Sequence, residues 1–165
     1  LRPRLTFALV GPMAAEFSFL RSRPNVVAIP RRPYAEIARY GAAFDVCLMP
    51  WLQNDWIAHC NPVKLKEYLA LGKPIVTTPF AELHRYPGLY YQANDAASFA
   101  SAIDRALAED NPARQQERRA ASAQHTWDCK FQRVLELLAQ RNIYVDGDPT
   151  TGSGRNPERA LAVAR

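Results

Sequence analysis

The sequence predicts an α/β fold, a single three-layer lobe with a mainly parallel sheet and helices on both faces. Three observations carry this. Short β-rich runs alternate with longer helical patterns, the order that places a helix between successive parallel strands. Prolines stand at the ends of those runs, as residues that cannot donate to a ladder interior must. The 165 residues, 48% hydrophobic and 22% charged, suit one domain with a buried core and exclude a disordered or collagen-like chain.

Strands are expected at residues 5–10, 26–29, 45–49, 74–78 and 89–92, with Pro24 and Pro30 bracketing the second, Pro50 closing the third, and Pro74 and Pro79 flanking the fourth. Between them, Ile37, Tyr40 and Phe44 mark a helix over 34–44, and a second helix is read over 61–71. Over 95–109, Phe99, Ile103 and Leu107 recur every fourth residue, an apolar stripe expected to pack on the sheet. Residues 113–125 form a polar helix, and Trp127, Phe131, Val134, Leu135 and Leu138 continue as a further amphipathic piece. The turn-rich residues 146–165 read as a mobile tail behind a lobe spanning 1–145. The chain begins without methionine a few residues before its first strand, so it reads as the downstream part of a longer polypeptide.

The 21 basic and 16 acidic side chains leave a formal charge of +5, which favours anionic partners without naming one. Arg114, Arg118, Arg119, Arg155, Arg159 and Arg165 fall on the polar helix and the tail, where solvation of a surface accounts for them. No apolar run approaches the roughly 20 residues needed to span a bilayer, and no signal peptide is visible. Cys47, Cys60 and Cys129 are odd in number and scattered, which predicts reduced thiols and a cytoplasmic protein. Membrane contact is then expected to be peripheral at most, through basic residues on an anionic inner leaflet.

In such a sheet, ligands bind beyond the carboxyl ends of the strands. No GxGxxG or Walker loop occurs among the seven glycines, and there is no Gly-x-Ser-x-Gly elbow. His59, beside Cys60, reads as a ligand or base or as an ordinary loop residue, while His84 and His125 have no metal-ligand partners, so neither a metal nor a cofactor is expected. The informative stretch is 59–74. Asn61 is placed to cap a helix with Pro62 in its first position, and Gly72 supplies a left-handed stop. A helix starting at the ligand edge offers free amides and a positive dipole end to an anion, and Lys64 adds a full charge. Glu67, one turn on, leans back toward the helix start, and its two acceptor oxygens suit paired sugar hydroxyls. Amides, lysine and carboxylate together describe a seat for a nucleoside diphosphate. The rival account is that Lys64 and Glu67 merely pair on a solvent face, worth about 0.2–0.5 kcal/mol.

The segments 24–29, 34–40 and 45–50, continued by Asn61-Pro62-Val63-Lys64-Leu65-Lys66-Glu67-Tyr68-Leu69-Ala70-Leu71-Gly72-Lys73-Pro74-Ile75-Val76 and closed by Thr126-Trp127-Asp128, resemble the donor-binding lobe of retaining glycosyltransferases of the GT-B fold. The likeness is to the group 1 members that build bacterial surface polysaccharides, and it spans about residues 5–140. It implies a Rossmann-like lobe, the C-terminal half of a GT-B enzyme, that binds a nucleoside diphosphate sugar for transfer to a glycan or lipid-linked acceptor. It also implies that the acceptor lobe and the donor lobe's first strand precede Leu1, so that this chain alone is inactive. In a Glu-x7-Glu motif the second carboxylate holds the ribose, which matches Glu67, and the first meets the donor sugar, where this sequence has His59. The resemblance puts Val63 and Lys64 on the diphosphate and the loop with Arg31 and Arg32 near the base. Two other readings are a sugar-nucleotide epimerase of the same fold and a noncatalytic nucleotide-binding module. Nucleic-acid binding ranks last, since the basic residues follow no recognition motif.

Overall fold

The computed structural model describes residues 4–141 and 143. The chain divides into two compact units, Leu1–His125 and Thr126–Arg165. The first unit contains β1 (Phe7–Val10), β2 (Val26–Ile29), α1 (Tyr34–Ala42), β3 (Cys47–Met49), α2 (Asp55–Ala58), α3 (Val63–Leu71), β4 (Ile75–Thr77), β5 (Tyr91–Gln92), α4 (Ala96–Glu109) and α5 (Pro112–Ala123). Short 3-10 helices at Ala15–Ser22 and Ala81–Arg85 and the single turn α2 were not expected; they lie in connections with no apolar period of their own. The second unit holds α6 (Trp127–Ala139), whose Thr126 Oγ1 accepts a bond from the Cys129 amide at 3.2 Å. The tail expected at 146–165 lies outside the described residues.

The strands are parallel, as expected, but they form two sheets, β1-β2 and β3-β4-β5. No ladder joins β1 to β3 among the described residues. Side chains connect them instead: Leu5 and Phe7 pack with Val46, Leu48 and Phe99 against one shared apolar cluster.

The period of two along a strand builds the layers. Met49 of β3 and Ile75 of β4 enter a core with Leu65 and Leu69 of α3, Phe80, Leu83 and Tyr86. Their neighbour Val76 faces the other way, into a core with Tyr91, Ala93 and Ala102, Ile103 and Ala106 of α4. One strand thus feeds two cores, with α3 on one face and α4 on the other. The α4 stripe is rotated from its expected line. Ile103 is buried and Phe99 packs at the edge of the cluster, but Leu107 is 40% exposed and the alanines 102 and 106 approach the sheet. Small side chains let the helix lie close, and close approach turns Leu107 outward.

Cys47 is buried within this sheet, at the start of β3, and burial pushes its thiol up to about 12 against the pull of the Lys73 charge. Its thiolate fraction near neutrality is on the order of a thousandfold below that of an ordinary cysteine. Timed labelling with a thiol reagent, followed by peptide mapping, is expected to find exposed Cys129 and partly exposed Cys60 modified first, and Cys47 only as the protein unfolds.

Candidate functional site

The parallel β3-β4 pairing makes the intervening helix run antiparallel to both strands, so α3 begins at their carboxyl edge. The loop after β3 is fastened to the end of β4 by Thr78: its hydroxyl accepts from the Trp51 amide at 3.0 Å and donates to the Trp51 carbonyl at 2.9 Å. Asn54 then caps α2, with its Oδ1 accepting from the Ile57 amide at 2.8 Å.

At the far end of α2, His59 folds back on its own helix, Nδ1 lying 2.8 Å from the Asp55 carbonyl oxygen. A carbonyl only accepts, so Nδ1 carries a proton, and the residue is exposed.

Asn61 is not the cap of α3. Pro62 occupies that position at φ −77° and ψ 131°, Val63 is the first helical residue, and no side chain caps the helix. The Asn61 carbonyl is taken by the Lys66 ammonium, which also donates to Glu82 Oε1 at 2.9 Å in a largely buried pair. A charged donor outcompetes a backbone amide for one amide oxygen. The first-turn amides of α3 are consequently left without a side-chain acceptor, and Val63 is 63% exposed. At the other end Gly72 adopts φ +73° and stops the helix in the left-handed conformation, as expected.

Lys64 and Glu67 meet: Nζ donates to Oε2 at 2.7 Å. The second carboxylate oxygen, Oε1, accepts from Tyr34 Oη at 2.9 Å. The hydrogen bond to Glu67, and then its charge, raise the Tyr34 phenol above its ordinary value. Tyr34 opens α1 directly after Arg31, Arg32 and Pro33, so this bond ties the loop after β2 to α3. Both arginines are exposed, and Arg32 lies over the Tyr40 ring, 5.9 Å from its centre. The structure therefore gathers Val63, Lys64 and Glu67 on one turn with the arginine loop tied alongside, while the His59 ring and Asn61 amide bond elsewhere. Sequence reasoning missed Tyr34, whose partner is 33 residues away, and the Lys66–Glu82 pair beneath the helix start. An aromatic residue opening a helix behind two arginines was the available signal for Tyr34.

Among the described residues no three His, Cys, Asp or Glu side chains are grouped to hold a metal ion, and no helix is long and apolar enough to cross a membrane.

The family model described as "Glycosyl transferases group 1" matches residues 1–109. The chain belongs to this glycosyltransferase family. It is 28% identical over 144 residues to TuaH of Bacillus subtilis (strain 168), whose name describes a glycosyltransferase of teichuronic acid biosynthesis; the match covers 82% of this chain and 36% of that protein. In fold it is similar to Anabaena Alr3699/HepE, crystallised in complex with UDP-glucose, with a TM-score of 0.58 at 18% identity over 84% of this chain and 42% of that one. The family chain described here thus spans about two fifths or less of these relatives, and it has the GT-B, Rossmann-like lobe architecture.

Proposed function

We propose that the chain is the nucleotide-sugar-binding lobe, residues 1–145, of a hexosyltransferase. The enzyme moves a sugar from a nucleoside diphosphate donor to a glycan or lipid-linked acceptor during bacterial surface polysaccharide synthesis, in the cytoplasm at the inner face of the membrane. The observation that carries this reading is the start of α3: first-turn amides free of any side-chain cap, with Lys64 and Glu67 one turn apart. The names of TuaH and of the UDP-glucose complex support a surface glycan and a UDP sugar.

In this reading the diphosphate lies on the Val63 and Lys64 amides, and Lys64 exchanges Glu67 for phosphate. Glu67 then takes the ribose hydroxyls, Arg31 and Arg32 flank the base, and His59 Nε2 meets the sugar. Asn61 acts indirectly, through Lys66. As the sugar leaves, negative charge grows on the diphosphate, and amides already aimed at it stabilise that charge without reorganising. The acceptor site lies in the remainder of the full-length enzyme, and the chain by itself does not catalyse transfer.

Glu67→Gln keeps the shape and removes one acceptor, so it is expected to weaken nucleoside diphosphate binding by about 1–3 kcal/mol, the range for charged hydrogen bonds. A 2'-deoxyribose analogue should lose most of its penalty in that variant. Calorimetry on both proteins with both nucleotides completes the cycle, and independent additive losses would remove Glu67 from the ribose.

A further inference from the structure

Glu67 stands at a crossing of two claims. Its side chain is only 21% exposed, and each oxygen already has a donor, Lys64 on Oε2 and Tyr34 on Oε1. Each oxygen can accept from a second donor, but with so little of the carboxylate open, a vicinal diol addressing both oxygens meets the donors already there. The two donors differ in where they can go. Lys64, its side chain 50% exposed, moves to the diphosphate of the same ligand, so its charge exchanges one anion for another. Tyr34 is 75% exposed and uncharged, and on leaving Glu67 it returns to solvent.

We propose that Tyr34 competes with a ribose hydroxyl for Glu67 Oε1, a gate whose opening is charged against ligand affinity and which frees the Arg31–Arg32 loop from α3 as the nucleotide enters. This deepens the ribose assignment of Glu67 and rests on it. Displacing Tyr34 forfeits the net worth of one hydrogen bond relative to water, so its loss is an affinity penalty borne by every ligand that uses the diol.

The test is titration calorimetry on the full-length protein with UDP, GDP and ADP, carrying forward the nucleotide that binds most tightly. Tyr34→Phe removes the competing hydroxyl while keeping the ring, at a position too exposed to threaten folding. It is expected to bind that nucleotide about two- to tenfold more tightly than wild type, the ratio equivalent to one ordinary hydrogen bond. The gain should vanish for the 2',3'-dideoxy nucleotide and in a Glu67→Ala background, where there is no oxygen to contest. Unchanged or weaker binding by Tyr34→Phe, with Glu67→Gln still impaired, overturns the gate and leaves the ribose assignment standing. Glu67→Gln binding as well as wild type overturns the assignment itself, and the gate with it. A merely structural role for the phenol predicts weaker binding and a lower melting temperature together, the opposite sign.

Discussion

Arg118→Ala is expected to destabilise the protein by about 3–5 kcal/mol, the usual cost of removing one partner from a buried ion pair. Arg118 is 1% exposed on the helix α5, and its Nη1 donates to Asp110 Oδ1 at 2.7 Å and to the Gly72 carbonyl at 2.9 Å. Truncation leaves a carboxylate short of its counter-charge, an unsatisfied carbonyl at the end of α3, and a hole where the guanidinium was. The Asp110 side chain keeps 19% exposure, and the water it can recruit holds the effect toward the lower end. Arg118→Lys should recover only part, because the shorter lysine stem does not carry its ammonium as far as Nη1, the one nitrogen that reaches both acceptors.

The same pair sets an acid dependence. Burial pushes the Asp110 carboxyl up, but the Arg118 bond, the Gln115 bond and the Arg118 charge outweigh it, so the group sits below its ordinary value. A depressed carboxylate contributes stability that is complete above the unfolded value near 3.9 and disappears as pH falls through the folded one. The gap between wild type and Arg118→Ala should therefore be full at neutrality and narrow below about pH 4. Urea unfolding at several pH values measures both, and a gap that widens on acidification would contradict the pairing.

Leu65→Ala is expected to cost about 2–5 kcal/mol, the range for deleting a fully buried leucine whose cavity cannot collapse. Leu65 is 0% exposed in the core that also holds Met49, Leu69 and Ile75. It lies in the first turn of α3, flanked by Lys64 and two residues from Glu67, so its loss should also weaken nucleotide binding. Leu65→Met, which conserves volume, should cost under about 1.5 kcal/mol and restore the nucleotide affinity. Chemical denaturation and calorimetry on the two variants separate a packing effect from a direct contact. Full affinity in a destabilised Leu65→Ala protein would show that the helix start is held by something other than its core.

What the sequence made legible was whatever is encoded by neighbours along the chain. Proline punctuation marked the second, third and fourth strands, and Gly72 announced the end of α3 because only local backbone geometry is involved. Lys64 and Glu67 were readable as a pair because residues three apart are neighbours on one helical face. Features decided at a distance were not. Asn61 satisfies every local rule for a cap, yet Lys66, anchored by Glu82 from another segment, takes its oxygen. Arg118 sits on a polar helix where solvation is the natural account, and the Gly72 carbonyl, 46 residues away, joins Asp110 in holding it inside. The division into two sheets was likewise invisible, since strand patterns report which residues are extended and not which edges meet.

The first turn of α3 has a consequence for how such proteins diversify. Within three successive residues, Val63 is 63% exposed, the Lys64 side chain is half exposed, and Leu65 is fully enclosed. Positions that can address a ligand and positions that hold the scaffold are therefore separate letters of one short word. Selection can rewrite the outward letters to suit a new donor without touching the inward one.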